Sequence, residues 1–228
     1  MSLSSNLSAL PARDASTVGA EVGRRLRAAI TLNEIPPGSR LTQTSLAEQL
    51  GVSRMPVRDA ISDLVAEGFA EALPTGGAVV TGLSSDDMRA VYAVRAPLEV
   101  EATRWVASNP DADLREIDRI LTVRRELGAG GPQTLWDLDR DFHWAIYNAA
   151  GNRFLTAALA PLWSQISRIM FAVHTVLDYG EVAWSEHAAI ADAIRAGDVE
   201  EAERVRRAHI THSADMLIES ASSAVSAD

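Results

Sequence analysis

The chain has 228 residues, 47% of them hydrophobic, which is enough for two modest domains that each bury a core. It contains no cysteine, which excludes disulfides and thiolate metal sites. No apolar run of about 18 residues and no secretory leader occurs, so we predict a cytoplasmic protein with no membrane partner. The net charge is −10, yet residues 1–82 carry seven arginines against eight acidic residues, whereas the remainder carries 14 against 23. A protein that coats nucleic acid is therefore not expected.

The N-terminal region begins with residues 1–15, which are rich in Ser and Ala without periodicity and predict a flexible arm. A first helix follows, because apolar residues recur at helical spacing up to the Pro-Gly turn of residues 35–38. These apolar residues are Val18, Val22, Leu26 and Ile30.

Residues 41–68 predict two short helices around a tight turn. Thr42 is a suitable N-cap for the first of them, and Gly51 suits the left-handed conformation that ends a helix. Ser53 is placed to cap the second helix, and Pro56 falls in its first turn, where the missing N–H costs no intrahelical hydrogen bond. An ordinary helical hairpin also fits this pattern when it is taken alone.

A short β-hairpin is predicted next, with residues 70–73 and 78–81 flanking a Pro- and Gly-containing turn. Three helices and a two-stranded ribbon form a winged helix-turn-helix over residues 16–82, and this favours DNA binding over the ordinary hairpin. The second helix of such a motif enters the major groove with its N-terminal residues. The residues predicted to contact DNA are Arg54, Arg58, Thr44, Ser53, Gly76 and Gly77.

Residues 83–220 have a helical pattern that predicts an all-helical bundle of six helices, or seven if one is broken. The helices are expected at about residues 84–108, 112–127, 133–150, 153–177, 182–196 and 199–220. Residues 221–228 are expected to be a disordered tail. The fold class is thus mainly α, with the winged helix-turn-helix before the bundle.

Two sets of motifs resemble known families. The string PGSRL…LAEQLGVSRMPVRDAISDLVAEG closely resembles the DNA-binding domain of GntR-type transcriptional regulators. The stretches YAVRAPLEVEATRWVA, LDRDFHWAIYNAAGNRFL and EHAAIADAIRAGDVEEAERVRRAHI are similar to the effector-binding FCD domain of the FadR branch of that family. Together they cover nearly the whole chain. The resemblance implies a regulator that binds double-stranded operator DNA and responds to a small carboxylic acid.

The histidines are the candidate metal ligands. Asp139 and His143 are four residues apart and therefore share one face of a helix, which alone more often indicates a hydrogen-bonded pair than a metal site. The FCD resemblance implies a divalent metal at Asp139, His143, His187 and His209, because each matches a ligand position of that domain. Zinc is the first choice, and nickel, manganese or iron are compatible. His212, one turn after His209, is an alternative ligand.

Two arginines are candidates for the effector. Arg95 and Glu99 are an i,i+4 pair, which alone indicates a salt bridge on a helix surface. In similar regulators an arginine at the position of Arg95 binds an effector carboxylate, and Arg168 is a second candidate. The fork of a guanidinium matches a carboxylate with two hydrogen bonds.

A nearly neutral DNA-binding domain gains contacts when two copies bind a symmetric site, so a homodimer on a two-fold operator is expected. Two other functions remain open at this point. The metal itself could be the signal, or three imidazoles and a carboxylate could activate water in a hydrolytic enzyme. No separate acid–base or nucleophile constellation is found in the sequence, so enzyme activity is not expected.

Overall fold

The computed structural model describes residues 15–128, 131–174 and 180–225. The chain divides after Leu83 into two compact units. The arm predicted at residues 1–15 lies outside the described residues except for Ala15, where the first helix begins. Within the described ranges, no helix combines the length and the apolar character needed to cross a bilayer.

The first unit consists of helices and a small sheet, whose bounds are α1 Ala15–Thr31, β1 Arg40–Leu41, α2 Gln43–Leu50, α3 Arg54–Ala66, β2 Ala70–Ala72 and β3 Ala78–Val80. The sheet has three antiparallel strands in the order β1-β3-β2, with Leu41 and Ala72 both paired to Ala78. The predicted ribbon of two strands was therefore incomplete. The two-residue β1 is too short to show the alternating pattern that identifies a strand.

Local signals in the sequence account for the turn between α2 and α3. The side chain of Thr42 accepts a hydrogen bond from the Ser45 backbone N–H at 3.3 Å, and Gly51 ends α2 in the left-handed region at φ 66°. Ser53 occupies the N-cap position of α3, but its side chain makes no capping hydrogen bond, contrary to the prediction. The core below these helices is fully buried and includes Val22, Leu26, Leu46, Leu50, Val57, Leu64 and Phe69.

The second unit contains the predicted helical segments, with bounds α4 Ser85–Ser108, α5 Arg115–Leu127, α6 Pro132–Ala149, α7 Arg153–His174, α8 Gly180–Ala196 and α9 Val199–Val225. The end of α9 differs from the prediction, because residues 221–225 are helical where a disordered tail was expected. Residues 226–228 lie outside the described part of the chain.

The interior of the second unit lies around α4. This helix begins with a capping box between Ser84 and Asp87, packs along α9, and also contacts α6, α7 and α8. Its buried residues include the charged side chains of Arg95 and Glu99. Charged side chains are rarely buried unless they are paired, so we expect a functional site in this interior.

Candidate functional site

The exposed face of α3 in the first unit is the candidate DNA-binding surface. Arg54 is the first residue of α3 and Arg58 lies one turn later, and both side chains are exposed. Arg58 donates to Asp59 Oδ1 at 3.2 Å, and because both partners are more than half exposed this pair contributes little to stability. Arg58 can therefore exchange this partner for DNA at little cost. Thr44 and Ser53 are also exposed.

The turn between β2 and β3 forms the tip of the predicted wing. Gly76 and Gly77 have positive φ angles of 88° and 77°. A Cβ on Gly77 would overlap the carbonyl oxygen of Leu41, whereas one on Gly76 would have no neighbour within 4 Å. Close packing on β1 thus accounts for Gly77 without any DNA contact. Arg40, which the sequence analysis did not select, donates to Thr75 Oγ1 at 2.6 Å and places an exposed positive charge beside this turn.

The second candidate site is a cluster of histidines inside the second unit. His143 on α6, His187 on α8 and His209 on α9 each offer a ring nitrogen, and these nitrogens lie within 4.8 Å of one another. The three residues are at most 2% exposed. His187 lies mid-way along α8. Imidazole nitrogens at this spacing can share one divalent ion.

Asp139 lies one turn before His143 and borders two of the three histidines, His143 and His187. Its Oδ1 is 3.5 Å from His187 Nε2, and its Oδ2 is 4.0 Å from His143 Nε2. Oδ2 is buried, and within the described ranges it has no hydrogen-bond partner. Burial raises the pKa of Asp139 to about 7, against the opposing charges of Arg95 and Arg206. A cation among these groups would stabilise the ionised carboxylate.

The imidazoles are held in the neutral form that binds metals. Burial lowers the pKa of His143 and His187 well below the usual histidine value, and lowers that of His209 as well. The His187 ring stacks on Phe142 with 4.2 Å between centroids, and no described residue forms a hydrogen bond with either of its nitrogens. Because buried polar groups are normally paired, this unmet bonding capacity indicates a ligand at the cluster.

Glu186 on α8 orients His209 from outside the cluster. His209 Nδ1 donates to Glu186 Oε2 at 2.8 Å, which leaves Nε2 unprotonated and able to bind a metal. A carboxylate in this position is typical of histidine metal ligands. His212 Nδ1 donates to the other oxygen of Glu186 at 2.8 Å, and the His212 side chain is 43% exposed. The geometry therefore favours His209 over the alternative His212 as the ligand.

A buried ionic network adjoins His143. Glu99 on α4 accepts hydrogen bonds from Arg95 Nε at 2.6 Å, from Arg206 Nη2 at 2.7 Å and from the Tyr147 hydroxyl. Although burial opposes ionisation, the charges of Arg206 and Arg95 hold the pKa of Glu99 well below its usual range. Arg206 Nη2 also donates to His143 Nδ1 at 2.7 Å, so the network is directly connected to the histidine cluster.

Among the residues that the structure describes, both arginines of this network keep N–H groups without a hydrogen-bond partner. These are Nη1 of Arg95 and both Nε and Nη1 of Arg206. The Arg95 guanidinium also lies 5.0 Å from the centroid of the Tyr92 ring and 5.1 Å from that of Trp163. Aromatic rings stabilise the charge without using the N–H groups along the edge of the guanidinium. Those groups are suited to bind an oxyanion.

Arg168, the other arginine suggested for the effector, is half-buried on α7 and donates to Gln165 Oε1 at 3.2 Å. Among the described contacts it belongs to neither the histidine cluster nor the Glu99 network. The sequence analysis did not select two residues that lie beside the cluster, Arg206 and Glu186. Arg206 precedes His209 by three residues, and this spacing on one helix face was a usable signal. Glu186 gave no signal, because its partners lie on another helix.

A winged helix-turn-helix joined in one chain to a helical unit with a buried polar cluster defines a DNA-binding transcriptional regulator. Residues 19–80 match the gntR family of bacterial regulatory proteins, and residues 90–212 match the FCD domain. The chain belongs to the GntR family of bacterial transcriptional regulators and carries a C-terminal FCD domain.

Similar proteins support this family. The chain is 31% identical over 206 residues to the HTH-type regulator BphR of Paraburkholderia xenovorans, covering 85% of this chain and 82% of that protein. It is 29% identical over 196 residues to a protein of Paenarthrobacter nicotinovorans named "Probable D-xylose utilization operon transcriptional repressor", covering 86% of each. The solved structure of McbR from Escherichia coli has the same fold, with a TM-score of 0.74 and 21% identity over 89% of this chain and 98% of McbR.

The raised pKa of Asp139 predicts how the metal-free protein responds to pH. A carboxyl group with a pKa of about 7 when folded and 3.8 when unfolded destabilises the fold as it ionises. This cost is absent below the unfolded pKa and complete above the folded pKa. The stability of Asp139→Asn relative to wild type should therefore increase by about 2 kcal/mol between pH 5 and pH 8, measured by urea unfolding in EDTA. The same difference at both pH values would contradict this account of Asp139.

Proposed function

We propose that this regulator is a repressor whose operator binding is controlled by a small organic acid bound at a divalent metal in the FCD domain. The observation that carries the proposal is a set of buried polar atoms in one region that have no hydrogen-bond partner in the described part of the chain: Asp139 Oδ2, both ring nitrogens of His187, and Arg95 Nη1. Protein interiors rarely leave such groups unpaired. A metal cation satisfies the lone pairs, and an acid anion satisfies the guanidinium.

The metal would be held by the ring nitrogens of His143, His187 and His209 and by a carboxylate oxygen of Asp139. This set of nitrogen and oxygen donors without thiolate suits zinc, nickel, manganese or iron, and zinc is the first choice. When bound, such an ion would act as a Lewis acid that attracts an oxygen of the effector. Because its ligands come from α6, α8 and α9, the ion would also join these helices.

The effector would be an acid because the unpaired N–H group of Arg95 needs an acceptor. A small polar acid has little apolar surface, so the hydrophobic effect alone gives it little affinity. Coordination to a metal together with hydrogen bonds from a guanidinium supplies both affinity and orientation. These unpaired donors favour the acid, rather than the metal alone, as the regulatory signal.

The DNA-binding part of the proposal rests on α3. Arg54 and Arg58 lie exposed at its N-terminal end, where the second helix of a helix-turn-helix reads the major groove. Because the first 82 residues carry no excess of positive charge, we propose that two copies bind a two-fold operator as a homodimer. The name of the Paenarthrobacter relative supports repression as the sign of regulation.

Arg54→Ala and Arg58→Ala should each weaken operator binding by about 1–3 kcal/mol if the residue makes a bidentate base contact. Fluorescence anisotropy at one fixed salt concentration, with an operator selected from random sequence, measures the loss. Arg119→Ala removes an exposed charge on α5 and should leave the affinity unchanged. Unaltered affinity in both α3 variants would show that α3 does not read DNA.

Zinc added to the metal-stripped protein should raise the free energy of unfolding, by about 2.7 kcal/mol when the free zinc is a hundredfold above its Kd. His187→Ala should abolish most of this gain, because His187 offers one ring nitrogen to the cluster. His212→Ala is the matched control, since His212 binds Glu186 outside the cluster and should keep the full response. An equal zinc response in wild type and His187→Ala would refute the ligand assignment.

The same protein preparations distinguish the effector from the metal as signal. Operator affinity is compared for metal-stripped protein, for zinc-loaded protein, and for zinc-loaded protein with each of a panel of carboxylic acids. The proposal expects an acid to change the affinity of the zinc-loaded protein. A change produced by zinc alone, with no further effect of any acid, would make the ion itself the signal.

A further inference from the structure

Arg206 is the unusual feature of this site. It lies on α9 three residues before His209, and its side chain is 0% exposed. One of its nitrogens, Nη2, donates to both Glu99 Oε2 and His143 Nδ1, each at 2.7 Å. Its other two nitrogens have no hydrogen-bond partner among the described residues. Neither the DNA-binding role nor the proposed metal ligation uses this residue.

The charges around Arg206 do not balance. Two buried guanidinium groups, those of Arg95 and Arg206, share one buried carboxylate, that of Glu99. The remaining acidic group nearby is Asp139, which lies beside the histidine cluster. A divalent cation bound there would more than neutralise the negative charge of Asp139. A buried charge without a counter-ion is costly. The network therefore lacks one negative charge even before any charge on the metal is considered.

The contact between Arg206 and His143 also cannot persist when a metal binds. A guanidinium only donates, so while Arg206 bonds His143 Nδ1 the ring proton lies on Nε2. Nε2 is the nitrogen closer to Asp139 and the cluster, and as a metal ligand it must lose that proton. The proton then lies on Nδ1, where Glu99 Oε2 at 3.6 Å is the available acceptor. Metal binding thus frees a further N–H group of Arg206.

We propose that the effector is a short dicarboxylic acid, with one carboxylate at the histidine–Asp139 metal site and the other bound by Arg206 together with Arg95. This inference rests on the proposed function and narrows its ligand class. Arg206 is separated from the cluster by one imidazole ring, that of His143, which is comparable to the length of a short diacid. A second carboxylate supplies the missing negative charge and accepts from the unpaired N–H groups of both arginines.

Calorimetric titration of the zinc-loaded full chain with matched acids tests this inference. The pairs are succinate with butyrate, glutarate with valerate, and malate with α-hydroxybutyrate, which differ by one carboxylate. For at least one pair, wild type should bind the diacid about ten- to hundredfold more tightly, the range expected for charged hydrogen bonds. If no diacid binds more tightly than its monoacid, the inference is overturned, and this arm needs no variant.

Arg206→Gln should remove the preference for the diacid and leave monoacid binding in place. Arg206→Met, which replaces the charge with an apolar side chain, is the second variant if the glutamine protein does not fold. Arg207→Gln is the control, because Arg207 is the adjacent exposed arginine and should keep the preference. A preference that survives in folded Arg206→Gln or Arg206→Met would also overturn the inference.

Zinc binding separates this inference from the function on which it rests. Arg206→Gln and Arg206→Met should bind zinc at least as tightly as wild type, because the guanidinium, which can only donate to His143 Nδ1, is gone. If zinc stabilises wild type but diacids bind no more tightly than monoacids, the inference of a dicarboxylic acid is wrong and the proposed metal site stands. If zinc does not bind wild type, the proposed metal site fails as well.

Discussion

Burying ionisable groups inside a helical domain costs free energy unless every donor and acceptor is paired. The stability of the second unit therefore depends on the hydrogen bonds and ion pairs that its buried ionisable groups form. Glu99 is the central compensating group, since it accepts hydrogen bonds from Arg95 on its own helix, from Tyr147 on α6 and from Arg206 on α9. Trp163 on α7 extends the network by donating to the Tyr147 hydroxyl at 2.9 Å. A single carboxylate thereby joins the packing of α4, α6 and α9.

Compensation within the protein is incomplete where the histidines meet. Asp139 and His187 keep unpaired atoms, and the two buried arginines keep unpaired N–H groups. Such groups would be expensive in a domain that only had to fold, because apolar residues of similar size would be at least as stable. A site that binds both a cation and an anion instead requires unpaired acceptors and unpaired donors in the same interior. Any ligand that changes the pairing of Glu99 acts on α4, the helix that begins directly after the DNA-binding unit ends in the chain.

The sequence predicted the parts of this fold that depend on local signals. The cap at Thr42, the left-handed Gly51 and the helix spacing of Asp139 and His143 are each encoded within a few neighbouring residues. The third strand β1 was missed because two residues show no periodicity. The resemblance to the FCD motifs predicted that His187 and His209 lie at one site. Their spacing in the sequence alone does not predict this. Glu186 and Arg206 act through contacts between helices, and the difference between His209 and His212 depends on which face of α9 turns inward.

The most direct test of the site is X-ray diffraction from crystals of the zinc-loaded full chain, recorded on both sides of the zinc absorption edge. The account predicts an anomalous peak at bonding distance, about 2.0–2.2 Å, from one nitrogen each of His143, His187 and His209 and from an oxygen of Asp139. It also predicts that His143 Nδ1 faces Glu99 and no longer Arg206. A zinc peak beside Glu186 and His212, with none among the three buried histidines, would contradict it.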